Sequence, residues 1–104
     1  MNVDEYQHKI VETIKAYGRP PTPAAHMKKL GEEIGELAEA VGIGNQSHII
    51  KECVDVINVA TSLLDQAGGV LDVQLKNKIA ELNQRMQEDR FDKHFGKPPT
   101  CDKA

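Results

Sequence analysis

Tryptophan is absent from the 104 residues, and two Tyr with two Phe are the only aromatics. Cysteine is nearly absent too: Cys53 sits in an apolar run and Cys101 in a polar tail. Two such residues build no disulfide framework and read as free thiols of a reducing compartment. Long hydrophobic runs are missing, so no segment approaches the length of a membrane span. Residues 1–17 mix Asp4, Glu5, Lys9 and Glu12 among apolar positions and lack the apolar stretch of a secretory signal, so a cytoplasmic location is expected. An excess of positive charge is missing as well. Thirteen Lys and Arg against sixteen Asp and Glu leave a net charge of -3, which argues against nucleic acid or anionic lipid as a partner. What remains is 39% hydrophobic and 28% charged, the balance of one soluble globular domain. At 11.5 kDa such a domain buries a thin core alone, so a homo-oligomer is expected to extend it.

No strand-like alternation persists and no internal repeat is visible; four segments carry helical periodicity instead. The first spans about residues 4–17, with Tyr6, Ile10, Ile14 and Tyr17 on one stripe and Gly18 placed to end it. Arg19-Pro20-Pro21 is an extended connector, and Thr22-Pro23 supplies an N-cap followed by proline at the first helical position. The second helix carries Met27, Leu30, Ile34, Leu37 and Val41 along one face and stops at Gly42 and Gly44. Ser47 is the expected cap of a third helix that reaches about Gln66, before Gly68-Gly69. The fourth covers about residues 72–90, with Leu75, Ile79, Leu82 and Met86 as its stripe. The expected architecture is an all-α, small four-helix bundle-type domain over residues 1–91, completed by oligomerisation, with a loosely held tail over 92–104.

Acidic residues on the inner helices need a separate explanation. The second helix carries Glu32, Glu33, Glu36 and Glu39, the third Glu52 and Asp55. Glu33 and Glu36 stand about 60° apart and border the apolar stripe. Glu52 and Asp55 repeat the three-residue spacing inside CVDVINVATSLL, a run apolar nearly all round, which marks the third helix as central and largely covered. Unpaired charges buried there cost several kcal/mol, roughly. Two such pairs meeting across a helix interface repel unless a cation lies between them. Four hard oxygen donors suit Mg²⁺, with Mn²⁺ as the substitute. For Glu32 and Glu39, which point away from the stripe, a solvated face paired to lysines is the favoured reading.

This arrangement resembles the MazG-like, all-α nucleoside triphosphate pyrophosphohydrolases, a superfamily that includes dimeric dUTPases and phosphoribosyl-ATP pyrophosphatase. Their EExxE motif followed by ExxD is matched by Glu32-Glu33-x-x-Glu36 and Glu52-x-x-Asp55, within KLGEEIGELAEAV and KECVDVINVATSLL. The likeness runs from about Thr22 to Arg90. It implies a dimer or tetramer that holds Mg²⁺ between its central helices and cleaves an NTP or dNTP to the monophosphate and pyrophosphate. Carried over position by position, Glu33, Glu36, Glu52 and Asp55 are the metal ligands. Glu32 lies behind them or orients a water, and Glu36 or Glu33 takes the proton from the attacking water. The triphosphate's negative charge is compatible with carboxylates only through bound cations.

Candidate substrate contacts are Lys29, Asn58, Lys76 and Asn83. Lys29 shares the side of Glu33 and Glu36, where it meets a phosphate or pairs with Glu33 at i,i+4. Asn58 follows Asp55 by three and either contacts the nucleotide or is a satisfied amide. Lys76, Asn83 and Arg90 recur every seven residues along the fourth helix. Family members often carry a Lys, Asn and Arg grouping there, but Lys78 and Arg85 do not share the face of Asn83. His8, His26, His48 and His94 lack metal-ligand spacing and read as surface residues; closure of His94-Phe95 over a nucleotide is a further idea for the tail. Two other readings stand beside the NTP pyrophosphohydrolase. Phosphoribosyl-ATP pyrophosphatase shares the KxGEExxE string, although the GELAEA continuation and the Asn on the fourth helix look more MazG-like. A non-catalytic helical oligomerisation module is the alternative of a different class. A di-iron bundle wants Glu-x-x-His pairs, which the central helices lack.

Overall fold

Side-chain oxygens start three of the helices. Asn2 accepts from the Glu5 amide at 2.8 Å while Glu5 accepts from the Asn2 amide at 3.1 Å, a reciprocal capping box. Thr22 Oγ1 accepts from the Ala25 amide at 3.1 Å ahead of Pro23. Asn45 Oδ1 accepts from the His48 amide at 3.1 Å. The resulting elements in the computed structural model, which describes residues 1–88, are α1 (Val3–Ala16), α2 (Pro23–Ile43), α3 (Gln46–Gln66) and α4 (Leu71–Gln87). No strand occurs among the described residues, and the fold is the expected all-α one. Arg90, His94, Phe95, Cys101 and the 92–104 tail lie outside the described residues.

Two boundaries differ from the sequence reading. The cap of α3 is Asn45, and the Ser47 hydroxyl instead donates to Asn45 Oδ1 at 3.1 Å. The reason lies one residue earlier. Gly44 ends α2 in the left-handed region at φ 82°, so the chain turns at once and Asn45 is the first polar side chain able to face the new helix. Gly42 does not stop α2; it lies inside the helix.

The chain divides at Leu71 into two units, residues Met1–Leu71 and the part beginning at Asp72. In the first, α2 and α3 pack as a hairpin across Gly44-Asn45 and α1 also packs on α3. The antiparallel sense is fixed far from the turn, where His26 Nε2 and Ser62 Oγ lie 2.9 Å apart. Polar contacts fasten the other ends. Gln7 donates to Asp65 Oδ1 and the Gly69 carbonyl, both at 3.0 Å, and accepts from the Leu71 amide at 2.7 Å. Arg19 Nη2 donates to the Ser62 carbonyl at 2.7 Å and to Asp65 Oδ2 at 3.1 Å, holding the α1–α2 connector against α3.

Helix α3 is central, since both neighbours pack on it, but it is not covered. Cys53, Val54, Asp55 and Ile57 are exposed. Two helices reach only part of its circumference, so an all-round apolar run has faces left over. On α2 the heptad line Met27, Ile34 and Val41 is likewise exposed, whereas His26, Glu33 and Ala40, one position earlier in each case, are buried. Among the described residues, Val11 and Ala40 are the buried hydrophobic ones; the rest of the buried set is Gln7, His26, Glu33, Thr61 and Ser62. In the second unit, α4 has no buried residue, and Leu75, Ile79 and Met86 are exposed.

Candidate metal centre

Helical spacing and hairpin register bring three carboxylates together. Glu33 and Glu36 lie one turn apart on α2 and Glu52 comes from α3, and one oxygen of each falls within 4.8 Å of the others. Their environments differ. Glu33 is 8% exposed, the Glu52 side chain is 12% exposed, and Glu36 is open to solvent.

Each inward carboxylate is held on one side only. Lys29 Nζ lies 3.3 Å from Glu33 Oε1, and His48 Nε2 lies 3.2 Å from Glu52 Oε1. The other oxygens, Glu33 Oε2 and Glu52 Oε2, are buried without a hydrogen-bond partner. An unpartnered carboxylate oxygen in such a position is costly. A cation sharing the two orphaned oxygens relieves that cost, and an all-oxygen donor set fits a hard divalent ion. The residues present therefore fit a metal.

The field of the site agrees. The Glu36 carboxyl is raised above the usual glutamate value, first by the charge on Glu33, then by loss of hydration and by Glu52; Lys29 offsets part of this and Asp55 adds to it. Lys29 is raised by its hydrogen bond to Glu33 and then by that residue's charge. One ammonium thus serves several carboxylates, since Glu32 also lies 3.9 Å from it.

The remaining candidates are distributed unevenly. Asp55 is exposed and outside the group of three, yet near enough to act on Glu36. Glu32 is exposed on the outer side of α2. Asn58 is half-buried with its carbonyl taken, accepting from the Tyr6 hydroxyl at 2.7 Å. Lys76 and Asn83 belong to the second unit; there Lys76 pairs with Asp72 at 3.0 Å, while Lys78 and Arg85 share Glu81.

Apart from Lys29, sequence reasoning gave no site role to the residues around a cavity of about 420 Å³. Tyr17, Pro20, His26, Lys29, Val59 and Ser62 are among its walls, and Lys29 belongs both to this cavity and to Glu33. His26 is fully buried rather than on the surface. Its Nδ1 faces the Thr22 carbonyl at 3.2 Å and donates to it, and its Nε2 meets the Ser62 hydroxyl at 2.9 Å. The arrangement as a whole can hold a divalent ion beside a cavity of nucleoside size.

The family model described as phosphoribosyl-ATP pyrophosphohydrolase matches residues 3–86, a span that includes α1, α2, α3 and nearly all of α4. Neither a curated protein nor a solved structure matches the chain.

Proposed function

The chain belongs to the phosphoribosyl-ATP pyrophosphohydrolase family, MazG-like all-α hydrolases of phosphoanhydride bonds, and from that premise we propose that it converts phosphoribosyl-ATP and water to phosphoribosyl-AMP and pyrophosphate. The match over residues 3–86 carries this reading. It favours the second of the two substrates weighed from the sequence. Cleavage of an NTP or dNTP is retained as the other reading because GELAEA continues the motif in the MazG manner.

Mg²⁺ is the proposed cofactor, held by Glu33, Glu36 and Glu52, with Asp55 one turn further along α3 as the fourth donor. When bound it neutralises phosphate oxygens and lowers the pKa of the attacking water. The chain's own part is positioning and proton transfer. Glu33 and Glu52 present their free oxygens from a buried seam, which keeps both carboxylates in one orientation. Glu36, exposed and with its proton affinity raised by its neighbours, accepts the proton from the attacking water, and Glu32 orients that water from the outer side. The water oxygen forms a bond to the α-phosphorus as the bond to pyrophosphate breaks. The cavity walled by Tyr17, His26 and Lys29 takes the nucleoside end, while Lys29 and Asn58 are the proposed substrate contacts of this unit.

A homodimer or tetramer completes the molecule, since a single chain leaves Met27, Ile34, Val41, Ile50, Val54 and Ile57 exposed. No helix among the described residues is long and apolar enough to cross a membrane, and we assign the reaction to the cytoplasm, where a free thiol such as Cys53 stays reduced.

The test is incubation of the purified chain with Mg²⁺ and, separately, phosphoribosyl-ATP and each NTP and dNTP, with product identification. Phosphoribosyl-AMP with pyrophosphate is expected. Faster turnover of a simple NTP or dNTP selects the other substrate. Release of orthophosphate, or no turnover across the set, overturns the reaction.

A further inference from the structure

The two buried carboxylates of the candidate centre are restrained in the same way from opposite helices. On α2, Lys29 stands four residues before Glu33 and takes Oε1 at 3.3 Å. On α3, His48 stands four residues before Glu52 and takes Oε1 at 3.2 Å. In both cases it is Oε2 that is left buried and unpartnered. We infer that His48 is a positioning residue: by holding Glu52 Oε1 it fixes the rotation of that carboxylate and leaves Oε2 as its one free donor toward Glu33 and Glu36. This rests on the proposed reading of the three carboxylates as a divalent-metal site and adds to it a residue that none of the motif spacings identified.

The chemistry supports the assignment. A glutamate side chain has three torsions to fix, and one hydrogen bond to the imidazole removes much of that freedom before any ligand arrives. The acceptor is a carboxylate, so the His48 Nε2 carries a proton in either charge state of the ring. His48 sits in the first turn after the Asn45 cap, with its backbone amide tied to Asn45 Oδ1 at 3.1 Å. Its own base is therefore rigid while its ring reaches solvent, the arrangement expected of a side chain that orients a neighbour rather than one that fills the core. Partners of this kind behind a metal ligand are worth about 10- to 100-fold in affinity when removed.

Binding of Mn²⁺ to the metal-free full chain, followed by calorimetry without nucleotide, separates the possibilities. His48→Ala is expected to weaken Mn²⁺ binding about tenfold with unchanged helicity. His48→Gln, whose amide nitrogen stands where the imidazole Nε2 does, is expected to restore binding to near the native value. His8→Ala, a histidine outside the group of three carboxylates, is the control and should bind as the native chain does. Equal Mn²⁺ affinity in His48→Ala and the native chain overturns the assignment while leaving the metal site standing, as does a glutamine variant no better than the alanine one. A native chain that binds no Mn²⁺ overturns the metal site and the assignment together.

Discussion

Glu36 is the residue at which charge crowding can be measured without nucleotide. Its folded-state pKa lies above the usual glutamate value because Glu33, Glu52 and Asp55 face it. Between the usual and the raised value the folded chain therefore binds more protons than the unfolded chain, so this group's contribution to stability falls as pH rises through that window. The metal-free chain and Glu36→Gln should melt at similar temperatures in acid. The variant should become the more stable of the two as pH climbs through the window, with a constant gap beyond it, by thermal denaturation in chelator. Lys29 has the same sign in a higher window: its raised value gives stability that is complete below the usual lysine value and is lost as pH rises through the raised one. For chemistry, the proposed role of Glu33 as a metal ligand predicts that Glu33→Gln lowers turnover at least about 100-fold, more than loss of a partner behind a ligand does. Loss of turnover with retained helicity is the measurement. The i,i+3 spacing of Glu33 and Glu36 and the placement of Glu52 in an apolar run made these three legible from the sequence. His48 was not, because a histidine one turn before a glutamate is equally at home on a solvated surface. Nor was the bond from Tyr6 to Asn58, which depends on α1 lying against α3.

Among elements, starts were easier to read than faces. Thr22-Pro23 declares the beginning of α2 by local chemistry alone, and Thr22→Ala should cost about 1 kcal/mol and lower the melting temperature by several degrees, roughly. Asn45 was overlooked in favour of Ser47 because a cap depends on where the preceding helix turns, and Gly44 sets that. The inward face of α2 was misjudged for a deeper reason. Periodicity shows that Met27, Ile34 and Val41 share a line, but not whether that line meets α3 or something outside the chain. The fastening at Gln7 was equally invisible, since it joins α1 to the turn after α3. Gln7→Leu keeps the volume but strips partners from Asp65, the Gly69 carbonyl and the Leu71 amide, and about 2 kcal/mol or more of stability should be lost. The same turn rejects a side chain at Gly69, where a Cβ would stand 3.0 Å from Leu64 Cδ2 and 3.2 Å from the Leu64 carbonyl oxygen. Gly69→Ala should therefore destabilise the chain in urea titration.

For the whole molecule, the thinness of the interior was legible from 104 residues and few aromatics, and among the described residues only Val11 and Ala40 are buried hydrophobic residues. If copies of the chain associate through its exposed apolar positions, its melting temperature should rise with protein concentration. Ile34→Asp and Ile57→Asp discriminate. Each side chain is about half exposed in one chain, so a monomer should tolerate the change within about 0.5 kcal/mol. An assembly should dissociate in sedimentation experiments.

The unsatisfied oxygen of Glu33 also bears on how the domain responds to engineering. A protocol that rewards toughness alone would replace Glu33 and Glu52 with leucine or methionine early, because an oily side chain suits that seam better than a half-satisfied carboxylate does. The product should withstand heat that the parent cannot, and be inert. Selection on durability would erase this protein's chemistry first.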